Sequence, residues 1–192
     1  MNINKSARIL SLALVLVLAV SAFAPFSVSA KGKKGKTNPF IVKNCTTSIV
    51  DVALAVNAET GEFSTLIAAL AATNLVGNFD CDARGNGKVS TVFAPTDAAF
   101  AKLGLNAGNI GSAFPKQQLR NILLYHVARG SLPSSTVVSL SSIRMRNGGT
   151  VGVQLNDEGA FLLSNNEPAK IIGLDVMADN GVIHIIDTVL LP

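Results

Sequence analysis

The sequence of 192 residues has no tryptophan, one tyrosine, two histidines and two cysteines, and only 15% of its residues are charged. Two cysteines are too few for a small protein held together by many disulfides, and the 16 glycines show no collagen period. The low charge and the 48% of hydrophobic residues exclude a disordered chain. The length predicts one domain, with or without appended segments.

The first thirty residues have the pattern of a secretory signal. Lys5 and Arg8 precede an almost unbroken run of Leu, Val and Ala, and small residues follow up to Ala30. A basic start, a short apolar run and a small-residue exit are typical of a cleaved signal peptide. An uncleaved membrane anchor is the alternative, which so short a run fits less well. We therefore expect residues 1–30 to be removed and the mature protein to be secreted, extracellular or periplasmic, and not transmembrane.

The basic character of the chain lies in the segment after this signal. Without Lys5 and Arg8, fourteen basic residues oppose twelve acidic ones; without the next four lysines as well, ten oppose twelve. We expect residues 31–40 to form a basic flexible linker, and no nucleic acid to bind a folded basic face. The linker is either simply solvated or attracted to an anionic lipid or polysaccharide surface. Its four lysines are Lys31, Lys33, Lys34 and Lys36.

Export makes a disulfide between Cys45 and Cys81 the expected state of the two cysteines. Closing this loop contributes at most about 4 kcal/mol in the chain-entropy model. The bond would tie the start of the domain to a turn-rich stretch at 77–88. No metal site is expected, because no histidine is near the cysteines in sequence and Arg84 occupies a ligand position of a partial calcium-loop pattern. No cofactor is expected either.

Apolar spacing predicts helices in the first half of the domain and short strands in the second. Helices are expected from Ser48, from Phe63, after Pro95 with Thr96 or Asp97 as the cap, and after Pro115. One strand is expected at 89–94. The others are expected at 136–140, 143–145, 150–155, 161–164, 169–175 and 182–186. This order predicts an α+β domain with antiparallel strands and not a parallel βαβ sheet.

Three blocks of residues resemble the signatures of the fasciclin (FAS1) domain family. They read TVFAPTDAAF over 91–100, LLYHV over 123–127 and NGVIHIIDTVLLP over 180–192. The blocks occur in the order and at the spacing of the family, and the resemblance covers residues 41–192. It implies one domain, a wedge of antiparallel β-strands packed against several α-helices. It also implies a role in extracellular adhesion, with a cell-surface or matrix protein or polysaccharide as the partner.

The resemblance also supplies candidate binding residues. In some animal members of the family, the Tyr-His block and an Asp-Ile pair are implicated in adhesion to integrins. Tyr125 and His126 match the first place, and Asp175 and Val176 lie at the second, with valine in place of isoleucine. From the residues alone, a buried structural imidazole that holds helix to sheet is the favoured interpretation of His126. Asp187 is expected to bond backbone near the chain end.

Three functions from different classes follow from these observations. The first is a secreted, non-enzymatic module for cell or matrix adhesion through an exposed face of the domain. The alternative is a soluble extracellular protein that binds a small apolar, lipid-like ligand, suggested by the aliphatic helix pair at 49–75. The third is a hydrolase, but the sequence has no Gly-x-Ser-x-Gly or His-Glu-x-x-His motif, and we expect no catalytic residues.

Overall fold

The computed structural model describes residues Phe40–Pro192, which form six α-helices, one turn of 3-10 helix and nine β-strands. The predicted signal peptide and the four linker lysines lie outside the described residues, so the boundaries at 30 and 40 stay predictions. The helices are α1 (Ile49–Thr60), α2 (Ser64–Ala72), α3 (Asp97–Ala101), α4 (Ile110–Ala113), α5 (Lys116–Tyr125) and α6 (Ser134–Val137), and the 3-10 turn is Val76–Asn78. The strands are β1 (Ile41–Lys43), β2 (Asn86–Lys88), β3 (Ser90–Pro95), β4 (Val127–Arg129), β5 (Ser142–Arg144), β6 (Thr150–Asn156), β7 (Gly159–Leu163), β8 (Ala169–Ala178) and β9 (Gly181–Ile186).

Side chains that cap the helices set where α1 and α3 begin. The Ser48 hydroxyl accepts a hydrogen bond from the Asp51 N–H, and the Asp51 carboxylate accepts one from the Ser48 N–H, which is a capping box. The Thr96 hydroxyl accepts from the Ala99 N–H at 3.2 Å, so Thr96, and not the alternative Asp97, is the cap of α3. The neighbouring Asp97 reaches across to the first turn of α2.

Seven strands form one sheet in the order β4-β3-β9-β8-β7-β6-β5, and β1 and β2 pair separately. Neighbouring strands are antiparallel except β3 and β9, which are parallel with Thr91 beside Val182. The outer strands meet at a bridge between Ala128 and Met145, so the sheet curls almost into a barrel. The α+β class is therefore confirmed. The one parallel pair departs from the antiparallel order, because the hairpin with β8 fixes the direction of β9.

The curled sheet separates two hydrophobic cores. The helix-side core lies between the helices and one face of the sheet, and the inner core lies inside the curl. Strand alternation sends neighbouring residues of β3 and β9 to different cores, which explains why both strands are buried on both faces. The helix-side core includes Ile49, Phe63, Leu66, Phe79, Phe100, Leu119, Leu123, Val127 and Ile183. The inner core includes Phe93, Tyr125, Val137, Ile143, Met145, Val151, Leu162, Ile186 and Leu190.

The predicted strand at 136–140 is wrong, because this stretch begins inside helix α6 and continues as a turn. The Thr-Val-Val sequence favours a strand, but Pro133 precedes the helix and the Asp175 carboxylate accepts a bond from the Ser134 N–H. This bond stabilises the first turn of α6 and comes from a residue 41 positions away. The sequence does not predict the short elements β1, β2, β4 and α4, since three or four residues carry too little periodicity.

The disulfide between Cys45 and Cys81 is confirmed, with Cα atoms 5.6 Å apart. It joins the segment after β1 to the turn before β2. The Cys45 N–H also donates to the Gly85 carbonyl at 2.8 Å, so a backbone hydrogen bond joins the same two segments as the disulfide. The start of the domain is therefore attached to the loop that leads into β2 and β3.

Candidate functional site

His126 is a buried link between the end of α5 and the C-terminal segment. Its ring is 2% exposed, and Nε2 accepts a hydrogen bond from the Leu190 N–H at 2.9 Å. Because Nε2 accepts, the proton lies on Nδ1, which donates to the Ile122 carbonyl at 2.9 Å. Burial lowers the pKa of His126 to about 4, against the smaller raising effect of the Ile122 carbonyl. The imidazole is therefore neutral and fully bonded in the interior.

Tyr125 also points inward, into the inner core. Its side chain is 3% exposed, and its hydroxyl donates to the Thr150 carbonyl at 3.0 Å. The ring lies against Gly149, where an added Cβ would be 2.7 Å from it. Desolvation raises the pKa of the Tyr125 hydroxyl. Tyr125 and His126 are therefore both buried, but their side chains bond to different segments: Tyr125 to Thr150 and His126 to Leu190.

Asp175 lies at an irregular position of β8 and joins three elements. Its φ of 55° is rare for a residue other than glycine, and its backbone N–H donates to Nδ1 of His184 at 3.3 Å. Its carboxylate accepts from both the N–H and the hydroxyl of Ser134. These two bonds lower the pKa of Asp175. Nε2 of His184 donates to the Leu132 carbonyl at 2.8 Å, so the network holds β8, β9 and α6 together.

The same irregularity makes β8 display apolar side chains to solvent. The register with β9 shifts on both sides of Gly173, and Ile172 and Leu174 are 54% and 53% exposed. Met177, further along the strand, is 62% exposed, whereas Val176 packs on the helix-side core. We call Ile172, Leu174 and Met177 the β8 apolar patch; they span about 17 Å of strand. Sequence analysis missed the patch, although Gly173 inside an apolar run is a signal of a bulge.

A small cavity lies between α1, α2 and the sheet. Its volume is about 50 Å³, enough for more than one water, but its lining is apolar. His126 contributes to the wall, but both of its ring nitrogens are already bonded. The cavity therefore offers contact area to an apolar group and no polar anchor. Its lining includes Ile49, Ala53, Leu66, Leu70, Phe79 and Val92.

Within Phe40–Pro192, no group of three or more His, Cys, Asp or Glu residues is placed to hold a metal ion. The second histidine, His184, is fully buried, and both of its ring nitrogens are bonded to backbone. Asp187 accepts from the Lys170 N–H at 2.9 Å, as expected for a residue that fastens the chain end. No helix in the described part of the chain is long and apolar enough to cross a membrane.

Comparison with known proteins places this geometry in a family. The model of the fasciclin domain matches residues 61–192. The protein sll1735 of Synechocystis is 38% identical over 141 residues, which are 73% of this chain and 96% of that protein. The transforming growth factor-beta-induced protein ig-h3 of Sus scrofa is 31% identical over 168 residues, 86% of this chain but 23% of that protein.

A solved structure supports the same assignment at the level of the fold. It is a FAS1 domain pair from the insect cell adhesion molecule fasciclin I, with a TM-score of 0.59 and 17% sequence identity. The match covers 77% of this chain and 52% of that chain, as expected when one domain is compared with a pair. Together with the family model, these similarities show that the chain belongs to the fasciclin domain family.

Proposed function

We propose that this chain is a secreted, non-enzymatic interaction module through which cells adhere to one another or to a matrix protein. The observation that carries the proposal is the β8 apolar patch, three large side chains each more than half exposed on one strand. Apolar side chains exposed along one strand leave apolar area in contact with water, which a binding partner would remove. The hydrogen bonds of Asp175 and His184 fasten β8 to β9 and α6, and a fastened strand loses less entropy on binding.

The candidate residues of the sequence analysis take a positioning role in this proposal. Asp175 and Val176 anchor β8 from inside, while Leu174 and Met177 on either side of them face outward. Tyr125 and His126 are buried, and their side chains form hydrogen bonds inside the domain. A partner would therefore touch the β8 apolar patch, and changes at the anchors would act on binding through the shape of the strand.

Export and the absence of catalysis belong to the same proposal. The signal pattern at 1–30 and the disulfide both fit an oxidising compartment outside the cytoplasm. Neither histidine could serve as a general base, because all four ring nitrogens are engaged with backbone groups. The lysines at 31–36 would add a salt-sensitive attraction to an anionic surface.

The test measures how much of the chain stays on producing cells and their matrix across a salt series. Four proteins are compared: residues 31–192, residues 37–192, a variant with serine at all three positions of the β8 apolar patch, and Leu155→Ser. Leu155 is 62% exposed on β6 and is the matched control for Met177. Retention at high salt by the first two and by the control, but not by the patch variant, is expected. Release of all four into the medium would contradict adhesion.

The apolar cavity supports a second candidate, the binding of a small lipid-like molecule. A group of a few carbon atoms would fill the space between α1, α2 and β3 without any polar contact. Native mass spectrometry of the purified chain should then show a bound molecule, which Ala53→Leu, by filling the cavity, should remove. A clean mass for the unliganded protein would count against this candidate.

A further inference from the structure

The seam where the curled sheet closes gathers arginine side chains. Antiparallel pairing at the Ala128–Met145 bridge places Arg129 beside Arg144, and the Arg146 N–H donates to the Val127 carbonyl at 2.7 Å. Side chains of adjacent antiparallel strands are about 5 Å apart at such positions. Four of the five arginines in Phe40–Pro192 lie at or near this seam: Arg120, Arg129, Arg144 and Arg146.

Strand alternation points the side chains of Arg129, Arg144 and Arg146 away from the inner core. Ile143 and Met145 are buried in the inner core, so Arg144 and Arg146 between and beyond them face the other side. On β4, Ala128 faces the inner core and Val127 the helix-side core, which places Arg129 on the same outer side. Arg129 and Arg144 are exposed, and Arg120 and Arg146 are partly buried.

Arg146 is held in place at the centre of this group. Its Nη1 is 3.5 Å from the Ser90 hydroxyl, and its guanidinium carbon is 5.6 Å from the centre of the Phe79 ring. Ser90 is the register partner of Arg129, so the two arginines meet at the same point of β3. Burial and then the positive charges of Arg129 and Arg120 lower the pKa of Arg146. The contacts with Ser90 and Phe79 place the Arg146 guanidinium between these two residues at the seam.

This positive cluster has no carboxylate partner within the described residues. Arg146 contacts a hydroxyl and a ring, and Arg120 donates to the Thr73 carbonyl at 3.4 Å. The carboxylates nearest in sequence to Phe79 are engaged elsewhere: Asp80 accepts from the N–H of the next residue, and Asp82 from its own loop. Grouping like charges without a counter-charge costs free energy, which a bound anion would offset.

We propose that this arginine seam binds an oxyanion group, a carboxylate or a sulfate, of an acidic polysaccharide. The planar guanidinium pairs with both groups through two parallel hydrogen bonds. The seam is only two strands wide, and residues 41–192 carry ten basic against twelve acidic residues. A dense polyanion such as duplex DNA would meet repulsion outside the seam, whereas a polysaccharide presents single charges separated by neutral sugar. The inference rests on the proposed function in one respect: the protein must be secreted to meet polysaccharides outside the cell.

The test measures binding of residues 31–192, with the four linker lysines replaced by glutamine, to carboxymethyl dextran, dextran sulfate, neutral dextran and a DNA duplex. We expect binding to at least one charged dextran, none to neutral dextran, and weaker binding to DNA. The double variant Arg129→Gln/Arg144→Gln should bind at least about tenfold more weakly, since each charge-assisted contact is strong. Which charged dextran binds identifies the carboxylate or the sulfate as the ligand group.

Arg84→Gln is the control: it removes one positive charge, as Arg129→Gln and Arg144→Gln each do singly, but from the exposed loop outside the seam. It should leave dextran affinity nearly unchanged. Equal losses in both variants, no loss in the double variant, or tighter binding of DNA would overturn the inference. Arg129 and Arg144 are both exposed, so the double variant should fold. A melting temperature equal to that of the unaltered protein confirms this. If the double variant melts lower, Arg129→Gln and Arg144→Gln are measured separately. Cell retention without dextran binding refutes only this inference, whereas dextran binding without cell retention refutes only the proposed adhesive function.

Discussion

Acidification should destabilise the protein through His126 in a defined pH window. The unfolded chain binds this proton with the ordinary histidine pKa of 6.5, whereas burial lowers the pKa of folded His126 to about 4. The folded state therefore binds fewer protons between these values, and the free energy of unfolding falls as the pH decreases through the window. The whole difference corresponds to roughly 3 kcal/mol, present above pH 6.5 and lost by about pH 4.

The hydrogen bonds of His126 explain why the folded protein cannot accept this proton without losing stability. Protonation would place a hydrogen on Nε2, directly opposite the Leu190 N–H that now donates to it. Two donors would then face each other at a residue that is 2% exposed, which is costly in the interior. Nδ1 cannot adapt, because it already donates to the Ile122 carbonyl.

The assay is urea unfolding of the natural chain and of His126→Gln between about pH 7 and about pH 4.5. The glutamine oxygen can still accept from the Leu190 N–H but does not titrate, and the variant should be about 1–3 kcal/mol less stable at neutral pH. The natural chain should then lose about 2–3 kcal/mol more than the variant on acidification. Carboxylates such as Asp175 titrate in both proteins and cancel. Parallel pH profiles would refute the reasoning.

Three further changes test particular contacts. Gly181→Ala should cost more than about 4 kcal/mol or prevent folding, because an added Cβ would lie 1.8 Å from a β3 carbonyl oxygen, whereas Gly77→Ala, with open space around it, should change unfolding by less than about 1 kcal/mol. Tyr125→Phe should lower the free energy of unfolding by about 1 kcal/mol and leave cell retention unchanged; lost retention at normal stability would make the hydroxyl a contact group. Reduction of Cys45–Cys81 should cost at most about 4 kcal/mol, and alkylation of the unreduced chain should find no free thiol.

Local sequence was sufficient to predict the elements with strong patterns. Thr96 after Pro95 predicts a helix start because a hydroxyl at that position reaches the N–H three residues later, within one turn. The stretch 97–101 is helical as expected from this signal. The strands at 143–145, 150–155 and 182–186 lie within a residue or two of their predicted ends, since alternating apolar residues must face a core.

The stretch at 136–140 could not be predicted, because distant partners outweigh its strand propensity. Asp175 supplies the bond that starts α6, and no window of sequence contains both residues. The exposed apolar residues of β8 were missed for a related reason. Their direction depends on two register shifts against β9, and a one-residue shift reverses the face that a side chain occupies.

By itself, the sequence determined the α+β class, the family signatures, the disulfide pairing and the internal place of His126, because each depends on residue type and local spacing. Only the tertiary structure decided which of the candidate residues are exposed. It buried Tyr125 and engaged the Asp175 carboxylate, yet left Leu174 and Met177 exposed. It also brought Arg129 and Arg144 together where the sheet closes. Which side chains are exposed, and which distant residues meet, depends on the strand register and on how the sheet closes. Packing over the whole domain sets both, and no short stretch of chain does.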